Sequence, residues 1–222
     1  MTQNFQLLSH SLNLNTPSYG NRDKFIINEK TQIEKGDSAN SSEWKFTINH
    51  LGTHIDFPSH FYSNGASLSD FEINDFIFQH PQLIDVECFE AKLIEYSDLN
   101  TIISENTDLL LIRTGYEIFR FTDKYWNDNH GLSPEFGMKL RSDFPNVRAI
   151  GFDFISLTSW KYRKEGKKAH REFLKGDKKN RFFIIEDMAL KAIKSKKPKR
   201  VIVSPLFVHE ANGSPVSVFC EI

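Results

Sequence analysis

The segment His50-Leu51-Gly52-Thr53-His54-Ile55-Asp56-Phe57-Pro58-Ser59-His60 places three histidines and an aspartate within eleven residues, all at even positions. In an extended chain successive side chains alternate faces. His50, His54, Asp56 and His60 would therefore share one side, while Leu51, Ile55 and Phe57 face an apolar layer on the other. The chain cannot stay straight, however. At ~3.3 Å per residue the Cα atoms of His50 and His54 would stand roughly 13 Å apart, whereas imidazoles serving one zinc-like ion must each bring a nitrogen within about 2.1 Å of it. A curl is required, and Gly52 supplies the backbone freedom for it. Pro58 fixes its own φ and lacks a ladder donor, so strand pairing should end there. A helix would put His50 and His54 on a common face, but Gly52 and Pro58 disfavour it and Asp56 would turn away.

The donor types suit a divalent transition metal. Two imidazoles and a carboxylate match the ligand sets that leave a coordination position open in catalytic zinc sites, and similar sets serve manganese or iron. Asp56 could bridge two ions. His60, four residues further on, reads as another ligand or as a proton carrier beside the metal.

With 222 residues, 39% of them apolar and 20 of them phenylalanine, the chain has enough material for one substantial core. A single domain over 1–222 is expected. Cys88 and Cys220 lie far apart in apolar runs and read as buried free thiols. No basic stretch leads into an apolar core at the amino end, and no run nears the ~18 apolar residues of a membrane span. A cytoplasmic protein without membrane contact is the expectation.

The formal charge of −1 hides an asymmetry, because residues 161–200 hold sixteen Lys and Arg against Glu165, Glu172, Asp177, Glu186 and Asp187. Few aromatics are interleaved in its lysine-rich stretches, such as 194–200, so these read as solvated turns and helix ends rather than a nucleic-acid face. Attraction of an anionic substrate, or of an acidic face of a sister subunit, fits the segment at least as well.

Strand-like runs recur at 24–28, 44–48, 83–89, 109–113, 147–152, 182–185, 201–203 and 216–220. Between them, Ser97 can cap a helix running toward Ser104, and Ser133-Pro134-Glu135 heads a helix reaching about Ser142. A third helix around 164–175 should stop at Gly176, and a short one can follow Asp187. The pattern predicts a mixed α/β or α+β domain with strands in excess. His170 precedes Phe173 and Leu174 by three and four residues, so it lies on the inward stripe of the third helix, as a hydrogen-bonded core residue or a ligand. Glu186 ends the apolar run 182–185 and must be paired, exposed or metal-bound. Asp153 closes another apolar strand, where capping the following turn is one reading.

The opening segment reads His-x-Gly-Thr-His-x-Asp-x-Pro-x-His without a break, and in this it resembles the cyclase family of metal-dependent hydrolases that includes bacterial kynurenine formamidase. Further matching residues follow in order: Leu8-Ser9-His10 with Thr16-Pro17, Leu111-Ile112-Arg113-Thr114-Gly115, Gly151-Phe152-Asp153 with Ser156, and Asn212-Gly213-Ser214-Pro215-Val216. The resemblance implies an α/β fold around a β-barrel-like core flanked by helices, assembled as a homodimer or larger oligomer. It implies that His50, His54 and Asp56 ligate a first metal, that Asp56 also reaches a second held by His170, and that Glu186 contacts one or both. His60 would be the catalytic acid/base. The metal would be zinc, as one or two ions, with manganese as an alternative.

The implied reaction is hydrolysis of a small-molecule amide by metal-activated water, in the first instance N-formylkynurenine to kynurenine and formate in tryptophan catabolism. The alternatives are a cyclic amide such as isatin or a lactam, and, from another class, a non-catalytic metal-stabilised binding protein using the basic segment. Two departures bear on substrate. Tyr19 stands where the formamidases carry a tryptophan after Thr-Pro, and could stack on an aromatic ring. Phe57 stands where the family often has alanine, and could narrow the pocket.

Overall fold

The structure, a computed structural model, describes residues 4–88 and 90–222. Its strands are β1 (Phe5–Leu7), β2 (Phe25–Thr31), β3 (Ser41–Phe46), β4 (His54–Asp56), β5 (Ile77–Phe78), β6 (Pro81–Asp85), β7 (Leu93–Ile94), β8 (Leu109–Arg113), β9 (Gly131–Leu132), β10 (Ala149–Phe152), β11 (Phe183–Glu186), β12 (Arg200–Pro205) and β13 (Gly213–Glu221). The helices are α1 (Lys124–Asn127), α2 (Pro134–Asp143) and α3 (Arg163–Leu174). One mixed sheet of nine strands runs β5-β12-β13-β4-β11-β10-β8-β6, with β1 added along β13. The segment β6-β8-β10-β11 is parallel and the remainder antiparallel.

The sheet curls nearly into a barrel because alternate residues of its strands enclose one apolar core. Ile55, Phe78, Leu109, Leu111, Ala149, Phe183, Ile185, Val201, Val203, Val218 and Cys220 all point inward to it. The opposite faces of the parallel strands carry Leu110, Ile112, Ile150, Phe152 and Ile184, and these pack under α2 and α3 through Phe136, Leu140, Ala169, Phe173 and Leu174. Two-sided burial is why these strands read as continuous apolar runs. It also divides β4, whose Ile55 enters the barrel while His54 and Asp56 take the helix-facing side.

Most elements fall where the patterning placed them, and the differences have local causes. Ser133 caps α2, its Oγ accepting from the Phe136 N–H at 3.0 Å. α3 ends at Leu174, two residues before Gly176 with φ +144°. The helix expected from Ser97 is a single 3-10 turn, Tyr96–Asp98. Beyond it Leu99 and Ile103 reach the core while Ile102 is 88% exposed, and the chain runs on without forming a longer helix. The segment after Asp187 is likewise a 3-10 turn, Leu190–Ile193. Cys220 is buried and Cys88 only half-buried; neither is bonded, and burial pushes both thiols up to about 11. The strand expected over 83–89 is displaced to β6, and Phe89 lies outside the described residues. No helix of the described residues is long and apolar enough to cross a membrane.

Candidate metal centre

The curl demanded by the histidine spacing occurs at Gly52, whose φ of +66° lies in the left-handed region open chiefly to glycine. A Cβ there would also press to 2.7 Å from Leu12 Cδ2. Three residues of straight strand then present His54 and Asp56, and Pro58 opens the 3-10 turn Pro58–His60 that swings His60 back over the site. β4 lies between two antiparallel neighbours, with His54 paired to Glu186 of β11 and Asp56 paired to Gly213 of β13. The second pairing is possible only without a side chain, because a Cβ on Gly213 would collide with the His50 ring.

α3 supplies His170 from across the sheet. Its Nε2 stands 3.6 Å from Asp56 Oδ2 and 3.5 Å from Glu186 Oε1, while His54 Nε2 stands 3.5 Å from Asp56 Oδ1 and 3.3 Å from Glu186 Oε2. Each carboxylate thus offers one oxygen to each imidazole. Donors about 2.1 Å from a shared tetrahedral ion sit roughly 3.4 Å from one another, and His54, Asp56 and Glu186 form a group of close donors of this kind, with His170 on the other oxygen of each carboxylate. Both Nε2 atoms are oriented for this. His54 Nδ1 donates to the Gly52 carbonyl at 2.8 Å, and His170 Nδ1 lies 3.0 Å from the Gly166 carbonyl and 3.1 Å from Thr158 Oγ1, the second-layer bonding that fixes ligating imidazoles. Glu186 Oε1 also accepts from the Leu157 N–H at 2.7 Å, with Ser156 Oγ at 3.3 Å. His50 Nδ1 lies 2.6 Å from Asp56 Oδ1, and His50, Asp56 and His60 form a second group of close donors sharing Asp56 with the first.

The charges show how the two carboxylates are balanced. Burial alone would lower the His54 pKa, but its bond to Glu186 and the charge of Asp56 overrule this and carry it to about 9. His170, equally buried, is carried to about 10 by Asp56 and Glu186. Asp56, despite burial, is held well below the usual carboxylate range by His50, His60 and His170. The two buried carboxylates therefore demand positive charge, which protons on the imidazoles provide here and a divalent ion would provide in their place. His60 differs. Although the residue is exposed at the rim of the site, partial desolvation of its ring, with repulsion from His50 and His170, holds its pKa down against the attraction of Asp56. It lies against His50 with ring centroids 4.1 Å apart, neutral at pH 7.

All six of these residues line one cavity of about 230 Å³, together with Tyr19. The Tyr19 ring stands edge-on to Trp160 at 5.2 Å, and its hydroxyl is buried beside Arg163. Phe57 does not reach the cavity. It occupies the opposite face of its segment, inside the barrel against Phe71, Phe76 and Phe183, so the pocket-narrowing contact expected of it is not made. Asp153 is also apart, accepting from Thr114 N and Oγ1 at 2.8 Å and Gly115 N at 2.6 Å. It caps the turn after the adjacent strand β8, because β10 runs parallel to β8 and ends beside it.

Sequence reasoning missed the support beneath Glu186. Asp187, at φ +54°, is gripped by Arg120 through Nε at 2.9 Å and Nη2 at 2.7 Å, and by the Tyr125 hydroxyl at 2.5 Å. Thr53 Oγ1 donates to the Asp187 carbonyl at 2.5 Å and accepts from the His10 N–H at 2.9 Å, tying the histidine-rich segment to the end of β11. The available signal was a second acid after Glu186 at the end of a fully apolar strand.

Residues 7–159 match the Cyclase family, described as "Putative cyclase". A kynurenine formamidase of Bacillus cereus is 27% identical over 218 residues, covering 94% of this chain and 93% of that protein. An uncharacterized protein of Haemophilus influenzae is 29% identical over 110 residues, 48% of this chain and 78% of its own. Among solved structures, isatin hydrolase A from Labrenzia aggregata superposes with a TM-score of 0.79 at 18% identity, covering 99% of this chain and 93% of that one. A predicted metal-dependent hydrolase from Bacillus stearothermophilus gives 0.78 at 18% identity, covering 99% and 98%. These structures share the fold. With the family match spanning more than half of its length, this chain belongs to the Cyclase family.

Proposed function

We propose that the chain is a metal-dependent hydrolase of a non-peptide C–N bond, acting on N-formylkynurenine to release kynurenine and formate. The observation that carries this reading is the sharing of Asp56 and Glu186 between His54 and His170 at metal-ligand spacing, beside a neutral His60 in one cavity. Similarity to the Bacillus cereus kynurenine formamidase over nearly the whole chain supports the substrate.

His54, Asp56, His170 and Glu186 would hold the metal, with His50 completing the set through Asp56. When bound there, a divalent ion, zinc in our reading with manganese the alternative, would supply Lewis-acid activation of water and of the substrate carbonyl. His60 accepts the proton of the attacking water at an imidazole nitrogen and returns it to the departing amine nitrogen. Its depressed pKa leaves it free to accept at neutral pH. Tyr19, backed edge-on by Trp160, receives the aryl ring. A cyclic amide of isatin type is the second reading, favoured by Tyr19 in place of the formamidase tryptophan. The enzyme would work in the cytoplasm as a homodimer. The largely exposed hairpin β2–β3, with Trp44 66% and Ile33 57% exposed, supports a partner subunit.

Metal content by mass spectrometry, measured with N-formylkynurenine hydrolysis before and after chelation, tests the reading. One or two ions per chain and chelator-sensitive turnover are expected. Metal without turnover moves the substrate to cyclic amides, and no metal after supplementation overturns the proposal.

A further inference from the structure

The cavity has ends of opposite charge. Two buried carboxylates lie at its floor, and Arg22, Arg163 and Lys167 line it at exposed positions toward its mouth. Some cations of the basic stretch are matched within the fold, Lys161 with Asp128, Lys175 with Glu172, Lys178 with Asp70 and Arg200 with Glu221, and others such as Lys196 and Lys197 are simply exposed; what sets Arg163 and Lys167 apart is that they line the cavity. Among the described residues no carboxylate plays that part for Arg22, Arg163 or Lys167. Asp23 is the one acid beside them on the cavity wall, and its Oδ1 accepts from Thr47 Oγ1 at 3.1 Å.

Their placement is directional. Arg163, Lys167 and His170 follow one another at four and three residues on α3 and so share a face. At 1.5 Å rise per residue, the Lys167 and Arg163 backbones stand roughly 4.5 and 10.5 Å along the helix from that of His170. The Arg163 guanidinium rests over the Trp160 ring, 4.9 Å from its centroid, which restrains a flexible side chain at the rim. The Tyr19 hydroxyl lies on the same wall, beside Arg163. A planar guanidinium is the side chain that grips a carboxylate in two places, and a lysine adds charge without that geometry.

We propose that Arg22 and Arg163, with Lys167 beside them, anchor a carboxylate of the substrate distinct from the carbonyl under attack, and so select acyclic carboxylate-bearing formamides over amides that lack one. The inference rests on the hydrolase reading above. The test compares two formamides cleaved at the same bond, N-formylkynurenine and the neutral formanilide, in the metal-loaded protein and in Arg163→Gln, Arg22→Gln/Arg163→Gln and Lys167→Met. Calorimetric binding of kynurenine, which keeps the carboxylate, is measured alongside. The ratio of kcat/KM for N-formylkynurenine over formanilide should fall about 10- to 100-fold in the double variant, mostly through KM. It should fall less in Lys167→Met and recover in part with Arg163→Lys. Kynurenine affinity should weaken in parallel. An unchanged ratio, whatever happens to the absolute rates, overturns the anchor. Failure of the parent protein to cleave either formamide overturns the hydrolase reading instead, and the kynurenine binding series then still decides whether the anchor exists.

Discussion

Glu186 and Asp187 are adjacent in sequence and both buried, yet their carboxylates are neutralised in different ways. Asp187 meets the guanidinium of Arg120, which keeps its charge at any pH the protein survives, and the Tyr125 hydroxyl. Its partner is a permanent part of the fold. Glu186, together with Asp56, meets His54 and His170, whose charges are on loan from bound protons. The first cluster is fixed by the fold, and the second, under the proposal above, would exchange its protons for a metal. What separates a structural buried charge from a functional one in this molecule is the titratability of the partner rather than the depth of burial.

The sharpest break comes from Asp56→Ala, which removes the carboxylate shared by both imidazoles. It should abolish metal retention by mass spectrometry and with it turnover, while leaving the chelated protein folded by circular dichroism. Arg120→Ala does the reverse and strands the Asp187 carboxylate without its cation, at a cost of about 3 to 5 kcal/mol. Urea midpoints should record this loss equally with and without metal. His60→Ala should retain metal and lose about 10²- to 10⁴-fold in rate; full activity would remove the proton-transfer role. Metal at a hundred times its dissociation constant should stabilise the parent by about 2.7 kcal/mol and Asp56→Ala not at all.

The smallest effect is in pH. Burial disfavours charge on His54 and His170, but Glu186 and Asp56 raise their pKa values to about 9 and 10. In the chelated protein these imidazoles contribute stability that is fully present below the unfolded value of about 6.5 and is lost as pH rises through the folded values. Metal displaces the same protons, so its stabilising effect should grow from pH 6.5 toward 9, followed as the melting temperature with and without metal. A metal effect independent of pH would mean the imidazoles are not the groups displaced.

Much of this site is legible in the sequence, because alternation, Gly52 and Pro58 act within a few residues. His50, His54, Asp56 and His60 converge through local geometry that the spacing itself requires. His170 and Glu186 stand out only as polar residues on apolar faces. What unites them with Asp56 is a strand pairing across more than a hundred residues, which periodicity does not encode. Phe57 shows the same limit from the other side. Its alternation already placed it with Leu51 and Ile55 on the apolar face, and the barrel interior claimed it. The Asp187 network escaped for a further reason, since an arginine in a 3-10 turn carries no mark of being buried.

The arrangement of β4 has a consequence for biosynthesis. Its two lateral neighbours, β11 and β13, are synthesised more than 125 residues after it, and Gly213 must arrive before the His50 ring has its final seat. On the ribosome the histidine-rich segment therefore emerges long before anything can hold it in register, a demanding order for non-local pairing. Ligand capture would accordingly be a late step in maturation, and the nascent chain would pass most of its elongation with those imidazoles and carboxylates hydrated and unassembled.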